Sequence, residues 1–165
     1  MSLVKKSWMP LYKIIEFAIT VGFEPSYLYL MGIRILMADD VKGFRAAIRA
    51  VLARDPGLDI VGEAGDGDEA VRMTDILEPD VVLLDINMPG KNGVQAAQEI
   101  LSRRPDQKIV FVTMYSSRSI EAHLFKLGGK GLVPKDQTFH SLPAALRTVF
   151  QGGLFFSSDL DKAAS

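Results

Sequence analysis

The chain has no cysteine, no apolar run of membrane-spanning length and almost no net charge, with a formal value of -1 over 165 residues. Each absence removes a class of function. Without cysteine there is neither a disulfide framework nor a thiolate metal site, which suits a reducing cytoplasm. A membrane span needs about 18 consecutive apolar residues, and the nearest stretch, Ile14 to Phe23, is too short and is interrupted by Glu16. No membrane association is expected. Lysines and arginines are scattered rather than gathered in a stripe, so the chain itself makes no electrostatic case for nucleic acid or an acidic lipid surface. The amino terminus has two lysines and some apolar residues but no small-residue cleavage site, which argues against a signal peptide.

What is present is an ordinary core composition, 48% hydrophobic, in a chain long enough for one domain and an appendage. The most informative stretch is Val81-Val82-Leu83-Leu84-Asp85-Ile86-Asn87-Met88-Pro89-Gly90. Four consecutive aliphatic residues, two of them β-branched, predict a strand buried on both faces, as in the middle of a parallel sheet. Asp85 follows directly, at the end of the strand where open α/β sheets hold ligands, and Asn87 with Pro89-Gly90 stops the strand. A lone aspartate in that place is most often a turn cap. The remaining chain gives it company.

Residues 1–32 differ in character from the rest of the chain. Pro10 precedes Leu11, Ile14, Ile15, Ala18 and Ile19 on one helical face, and Gly22 is a stop signal, so one short amphipathic helix is expected. Met31 is a second potential start, which leaves this extension open between an artefact and a docking helix. From Ile33 strands and helices alternate. Strands are expected over Ile33 to Ala38, Leu58 to Glu63, Val81 to Leu84, Lys108 to Thr113 and Gly131 to Pro134. Helices follow each in turn: one around Phe44 to Leu52, one from Asp66 to Leu77, one from about Val94 to Arg103, one from Ser116 or Ser117 to Leu127, and one from about Phe139 to Phe150. Pro134 cannot donate to a ladder and places the fifth strand at an edge.

Strict alternation predicts an α/β fold, a doubly wound parallel sheet in the flavodoxin-like (βα)5 arrangement with strand order 2-1-3-4-5. In that order Asp39, Asp40, Asp85, Thr113 and Lys135 all stand at carboxyl ends of strands around one crevice. Three carboxylates there repel one another unless a cation sits among them, and an all-oxygen set suits Mg2+ better than zinc. The backbone carbonyl of Asn87 can complete the shell. Aspartate is also a nucleophile toward phosphoryl groups, with Mg2+, Lys135 and Thr113 available to the phosphoryl oxygens.

From Ile33 to about Ser158 the chain resembles a response-regulator receiver domain. The run Asp39-Asp40, Asp85-Ile-Asn-Met-Pro-Gly, Val112-Thr113-Met114 and Lys135-Asp136 is similar to the NarL/FixJ-type two-component transcriptional regulators. The resemblance implies Asp85 as phosphoacceptor, Asp39 and Asp40 as the acidic metal pair, Thr113 as the switch hydroxyl and Lys135 as the family lysine. It further implies a histidine kinase as phosphodonor, a homodimer, and a changed surface on the fourth helix, fifth strand and fifth helix. The chain would be a phosphoacceptor that promotes its own phosphotransfer and turns over no metabolite. The expected division is an extension over 1–32, a receiver over 33–151 and, over 152–165, the start of a linker to a helix-turn-helix output domain of about 60 residues. DNA is then met only through that domain.

One family position departs. Where the family carries an aromatic switch residue, three before the lysine, this chain has Leu132, a departure from the family's threonine–aromatic coupling; the alternative is a stand-alone or pseudo-receiver acting as a protein-interaction module. Other readings fit worse. Gly65-Asp66-Gly67-Asp68-Glu69-Ala70 matches a dinucleotide fingerprint, but its acidic residues oppose a pyrophosphate and it follows the second strand. A haloacid-dehalogenase-like phosphatase wants an aspartate where Asn87 stands, and a flavodoxin wants a phosphate cradle where Asp39-Asp40 stand. His123 and His140 are expected to serve the surface or packing, Met88 and Met114 packing, and Arg103-Arg104 a solvated helix end near a favourable dipole.

Overall fold

The structure, a computed structural model, describes residues 32–156 together with Thr20. The amphipathic helix expected in residues 1–32 and the linker after 156 lie outside the described residues. The chain divides into two compact units, Met1–Gly32 and Ile33–Ser165, of which the second holds the sheet and its helices.

Five strands, β1 (Ile33–Ala38), β2 (Leu58–Ala64), β3 (Val81–Asp85), β4 (Lys108–Thr113) and β5 (Gly131–Pro134), pair in parallel in the order β2-β1-β3-β4-β5. Helices α1 (Lys42–Leu52), α2 (Gly67–Leu77), α3 (Gly93–Arg103), α4 (Arg118–Leu127) and α5 (Thr138–Phe150) make the crossovers. This is the flavodoxin-like order expected from the alternation.

Alternate strand residues enter opposite cores because strand side chains point to alternate faces. Ile35, Met37, Val81, Leu83, Val110, Val112 and Val133 meet Ile48 and Leu52 of α1 and Leu142, Leu146 and Val149 of α5. Leu36, Ala38, Val82, Leu84, Ile109, Phe111 and Leu132 meet the buried stripes of α2, α3 and α4. Every residue of β3 is buried, as a central strand covered on both faces requires.

Local chemistry sets the helix ends. Asp66 accepts from the Glu69 amide at 2.8 Å while Glu69 accepts from the Gly65 amide at 2.7 Å, so the stretch resembling a dinucleotide loop is a helix cap. Asn92 and Gln95 form a reciprocal capping box, starting α3 at Gly93 rather than Val94. Ser117 caps α4 and Gly128, at φ 110°, ends it. A 3-10 turn over Lys135–Gln137 leads directly into α5 at Thr138.

The outer edge of β5 is covered by the chain's own tail. The Phe155 amide donates to the Lys130 carbonyl at 2.9 Å and the Leu132 amide to the Phe155 carbonyl at 2.7 Å, a parallel bridge that satisfies edge groups otherwise open to another chain. Phe155 packs on the α1–α5 side, whereas Phe156 packs on the other and meets Phe125 of α4 edge-to-face at 5.9 Å.

Candidate functional site

The strand order reverses direction between β1 and β3, which opens a crevice at their carboxyl ends. Asp39 follows β1 and Asp85 closes β3; each is only 2% exposed. Asp40 stands beside them at the surface, and the three offer carboxylate oxygens that all lie within 4.8 Å of one another. Lys135, immediately after β5, spans the gap: its Nζ donates to Asp39 Oδ2 at 2.6 Å and to Asp85 Oδ2 at 2.9 Å. An ammonium drawn onto two buried carboxylates shows that this crevice favours a cation, and its all-oxygen donor set is the kind a hard divalent ion takes.

The second carboxylate oxygens are held by backbone. Asp39 Oδ1 accepts from the Val41 amide at 2.8 Å, and Asp85 Oδ1 accepts from the Asn87 amide at 3.1 Å. Arg45 of α1 donates to the Asp39 carbonyl at 2.5 Å and through Nε to Glu63 of β2 at 3.1 Å. Gly93 donates to the Ile86 carbonyl at 2.9 Å, and a Cβ built on it would stand 2.0 Å from the Asp85 carbonyl oxygen. The first residue of α3 thus rests on the backbone that carries Asp85.

The structure brings Asp39, Asp85 and Lys135 into direct contact and sets Asp40 beside them. Thr113 is also buried at this end of the sheet, but its hydroxyl is engaged with Tyr115, donating to the carbonyl at 3.0 Å and accepting from the amide at 3.2 Å. Leu132 is 3% exposed and belongs to the core layer of Phe111 and Leu124. His123 and His140 are exposed, and neither joins a metal-binding cluster among the described residues. His123 lines a groove of about 370 Å³ together with Thr113 and Tyr115. Met88 is packed as expected, whereas Met114 is 64% exposed. Arg103 and Arg104 are more than a solvated helix end: they pair with Asp75 at 2.7 Å and Glu78 at 3.2 Å.

Three residues around the crevice escape a reading of the sequence. Arg45 and Gly93 carry no signature of their own, because what they touch lies elsewhere in the chain. Phe44 falls on the apolar stripe of α1, where an aromatic ring reads as packing.

Burial pushes the Asp85 carboxyl above the usual carboxylate value of 3.8; the Lys135 and Asn87 hydrogen bonds pull the other way, and the charge of Asp39 adds to the rise. Burial opposes the Lys135 charge, but its bonds to Asp39 and Asp85 outweigh that and hold the ammonium above the ordinary 10.5. A carboxyl with a raised folded pKa is costly only when ionised, so the cost is absent below the ordinary value and grows as pH rises through the folded value. Asp85→Asn is therefore expected to stabilise the protein at pH 7 by about 1 kcal/mol, the size seen when a strained functional site is relieved. The advantage should vanish in thermal unfolding near pH 3. Equal midpoints for variant and parent at pH 7 would exclude this account.

Among the described residues no helix is long and apolar enough to cross a membrane. The family model described as the response regulator receiver domain matches residues 35–147. The chain is 35% identical over 123 residues to the transcriptional regulatory protein DegU of Brevibacillus brevis, covering 74% of this chain and 52% of that protein. It is 35% identical over 128 residues to the response regulator GacA of Pseudomonas viridiflava, covering 78% of this chain and 60% of that protein. It thus spans between half and three fifths of the length of these relatives. Among solved structures it is similar to a LuxR-family two-component response regulator from Aurantimonas sp. SI85-9A1, with TM-score 0.75 and 29% identity over 79% of this chain and 94% of that one. It is also similar to the response regulator domain of Thermotoga maritima CheB, with TM-score 0.68 and 26% identity over 73% of this chain and 97% of that one. With the five-stranded order, the acidic crevice and the lysine that bridges it, these likenesses show that the chain belongs to the response-regulator receiver-domain family, on its NarL/FixJ side.

Proposed function

We propose that Asp85 accepts a phosphoryl group from the phosphohistidine of a histidine kinase and that the phosphorylated crevice switches the surface made by α4, β5 and α5. The observation that carries this is the Lys135 ammonium bonded at once to Asp39 and Asp85 in a buried crevice. In the transfer an Asp85 carboxylate oxygen attacks phosphorus, the phosphorus–nitrogen bond to the imidazole breaks, and an acyl phosphate forms. Lys135 exchanges its bond to Asp85 for one to a phosphoryl oxygen. Asp39, Asp40, Asp85 and the Asn87 carbonyl would hold Mg2+, which when bound offsets charge on the phosphoryl oxygens.

The switch begins at Thr113. Its hydroxyl gives up both bonds to the Tyr115 backbone when it turns toward a phosphoryl oxygen, and the segment leading into α4 is then released. With Leu132 buried in the core, the change is transmitted without an aromatic residue on β5 at that position. The same reading makes the chain a cytoplasmic phosphoacceptor rather than a metabolic enzyme. It acts as a homodimer and reaches DNA only through a helix-turn-helix output domain.

The test is intact mass after incubation with Mg2+ and acetyl phosphate. A single phosphoryl adduct is expected, absent in Asp85→Asn and absent with a chelator. No adduct under conditions that label another receiver would overturn the reading and leave the pseudo-receiver, an interaction module, in its place.

A further inference from the structure

We propose that Phe44 is a positioning residue for Lys135, holding its ammonium over the crevice by a cation–π contact; this rests on the phosphotransfer reading of the site. The Lys135 Nζ lies 4.4 Å from the centroid of the Phe44 ring, well inside the range of such contacts. An ammonium has three donors. Two are used on Asp39 and Asp85, at 2.6 Å and 2.9 Å, and the ring lies against the cation as a third neighbour. The lysine side chain is 10% exposed, so the contact is shielded from most solvent.

The three partners of the lysine are not equivalent. Both carboxylate bonds must change when Asp85 carries a phosphoryl group and a divalent cation claims the acidic pair. The ring is neutral and competes with neither partner. It can therefore keep hold of a long, flexible cation while its other contacts are exchanged, which is the step at which an untethered lysine would swing toward water. Phe44 is also only half-buried at the rim of the α1–α5 core. The neighbouring side chain, Arg45, holds the Asp39 carbonyl at 2.5 Å. Two adjacent residues in the first turns of α1 thereby reach both sides of the site, one the cation and the other the backbone of an acid.

The experiment uses the full chain in two steps. Without Mg2+, the Lys135 ε-methylene protons should resonate upfield of those of the other lysines through the ring current of Phe44. That displacement should be lost in Phe44→Leu and Phe44→Met and kept in Phe44→Tyr. With saturating Mg2+ and acetyl phosphate, the Leu and Met variants should label Asp85 more slowly by roughly fivefold, the factor an ordinary cation–π contact carries. Their Mg2+ half-saturation should stay the same, and Phe44→Tyr should restore the rate. A parent protein without the upfield displacement, a Leu variant at the parental rate, or a Tyr variant as slow as the Leu variant would each overturn the proposal. Failure of the parent to be labelled at all would overturn the phosphotransfer reading, while the resonance still reports on the contact itself.

Discussion

Gly93→Ala is expected to cost about 3 kcal/mol or more of stability and to lower the unfolding midpoint by about 10 °C. The added methyl would stand 2.0 Å from the Asp85 carbonyl oxygen and 2.9 Å from the Ile86 Cα, and both neighbours are backbone atoms that no rotamer change can clear. Either α3 lifts away from β3 or the strand end carrying Asp85 is displaced. The first loses the core contacts of Ala96, Ala97 and Ile100, and the second displaces Asp85, so on the proposed phosphoacceptor reading labelling of Asp85 should fall with stability. Gly90 supplies the control. It adopts φ +72° with nothing within 4 Å of its Cβ position, and alanine there should cost only the left-handed penalty, about 1 kcal/mol. Thermal unfolding of the two variants side by side decides the matter: equal losses would mean that the close approach at Gly93 relaxes freely.

Lys135→Met should destabilise the protein by about 3 kcal/mol at neutral pH in the absence of divalent cations, because removing one partner leaves buried charge without compensation. Asp39 and Asp85 are both 2% exposed and share this one ammonium. The sign with pH follows from which groups remain. Asp85, whose carboxyl burial holds above the usual value, is costly only while ionised, so the gap between variant and parent should narrow as pH falls through its folded value. Between that acid range and its ordinary value of 10.5 the lysine's contribution in the parent is fully present, and it is lost as pH rises through its higher folded value. Mg2+ at about a hundred times its dissociation constant should return about 2.7 kcal/mol to the variant if it binds only the folded crevice. On the proposed phosphotransfer reading, labelling of Asp85 should not return with it, since no ammonium is left to meet a phosphoryl oxygen. Unfolding midpoints that match the parent from pH 3 to pH 9 would show that the two carboxylates do not depend on Lys135.

Much of the fold and of the site is legible along the chain because it is written in local periods. Ile33 to Ala38 and Lys108 to Thr113 read as strands from β-branched residues, and the apolar stripe of α1 reads as a helix face. Asp39, Asp85, Thr113 and Lys135 can be placed together once the strand order is inferred, since each directly follows or ends a strand. The turn chemistry is less visible. The Asn92–Gln95 capping box starts α3 one residue before the expected Val94 and so sets Gly93 against Asp85. Pairing of Phe155 with β5 leaves no mark in the sequence either, because a Gly-Gly-aromatic tail carries no period that distinguishes a linker from an edge strand.

The sequence by itself determined the alternation of strands and helices, the two faces of each strand, and which residue types stand at the carboxyl ends. These follow from patterns a few residues long, in which burial preference and backbone geometry act together. Only the tertiary structure decided which atoms meet. Lys135 bonds to Asp39 across 96 positions and to Asp85 across 50, Phe44 lies against the same ammonium, and Gly93 bears on the Asp85 carbonyl. Contacts at that separation are fixed by the crossovers and by close packing of whole elements, where displacement by one ångström exchanges one partner for another.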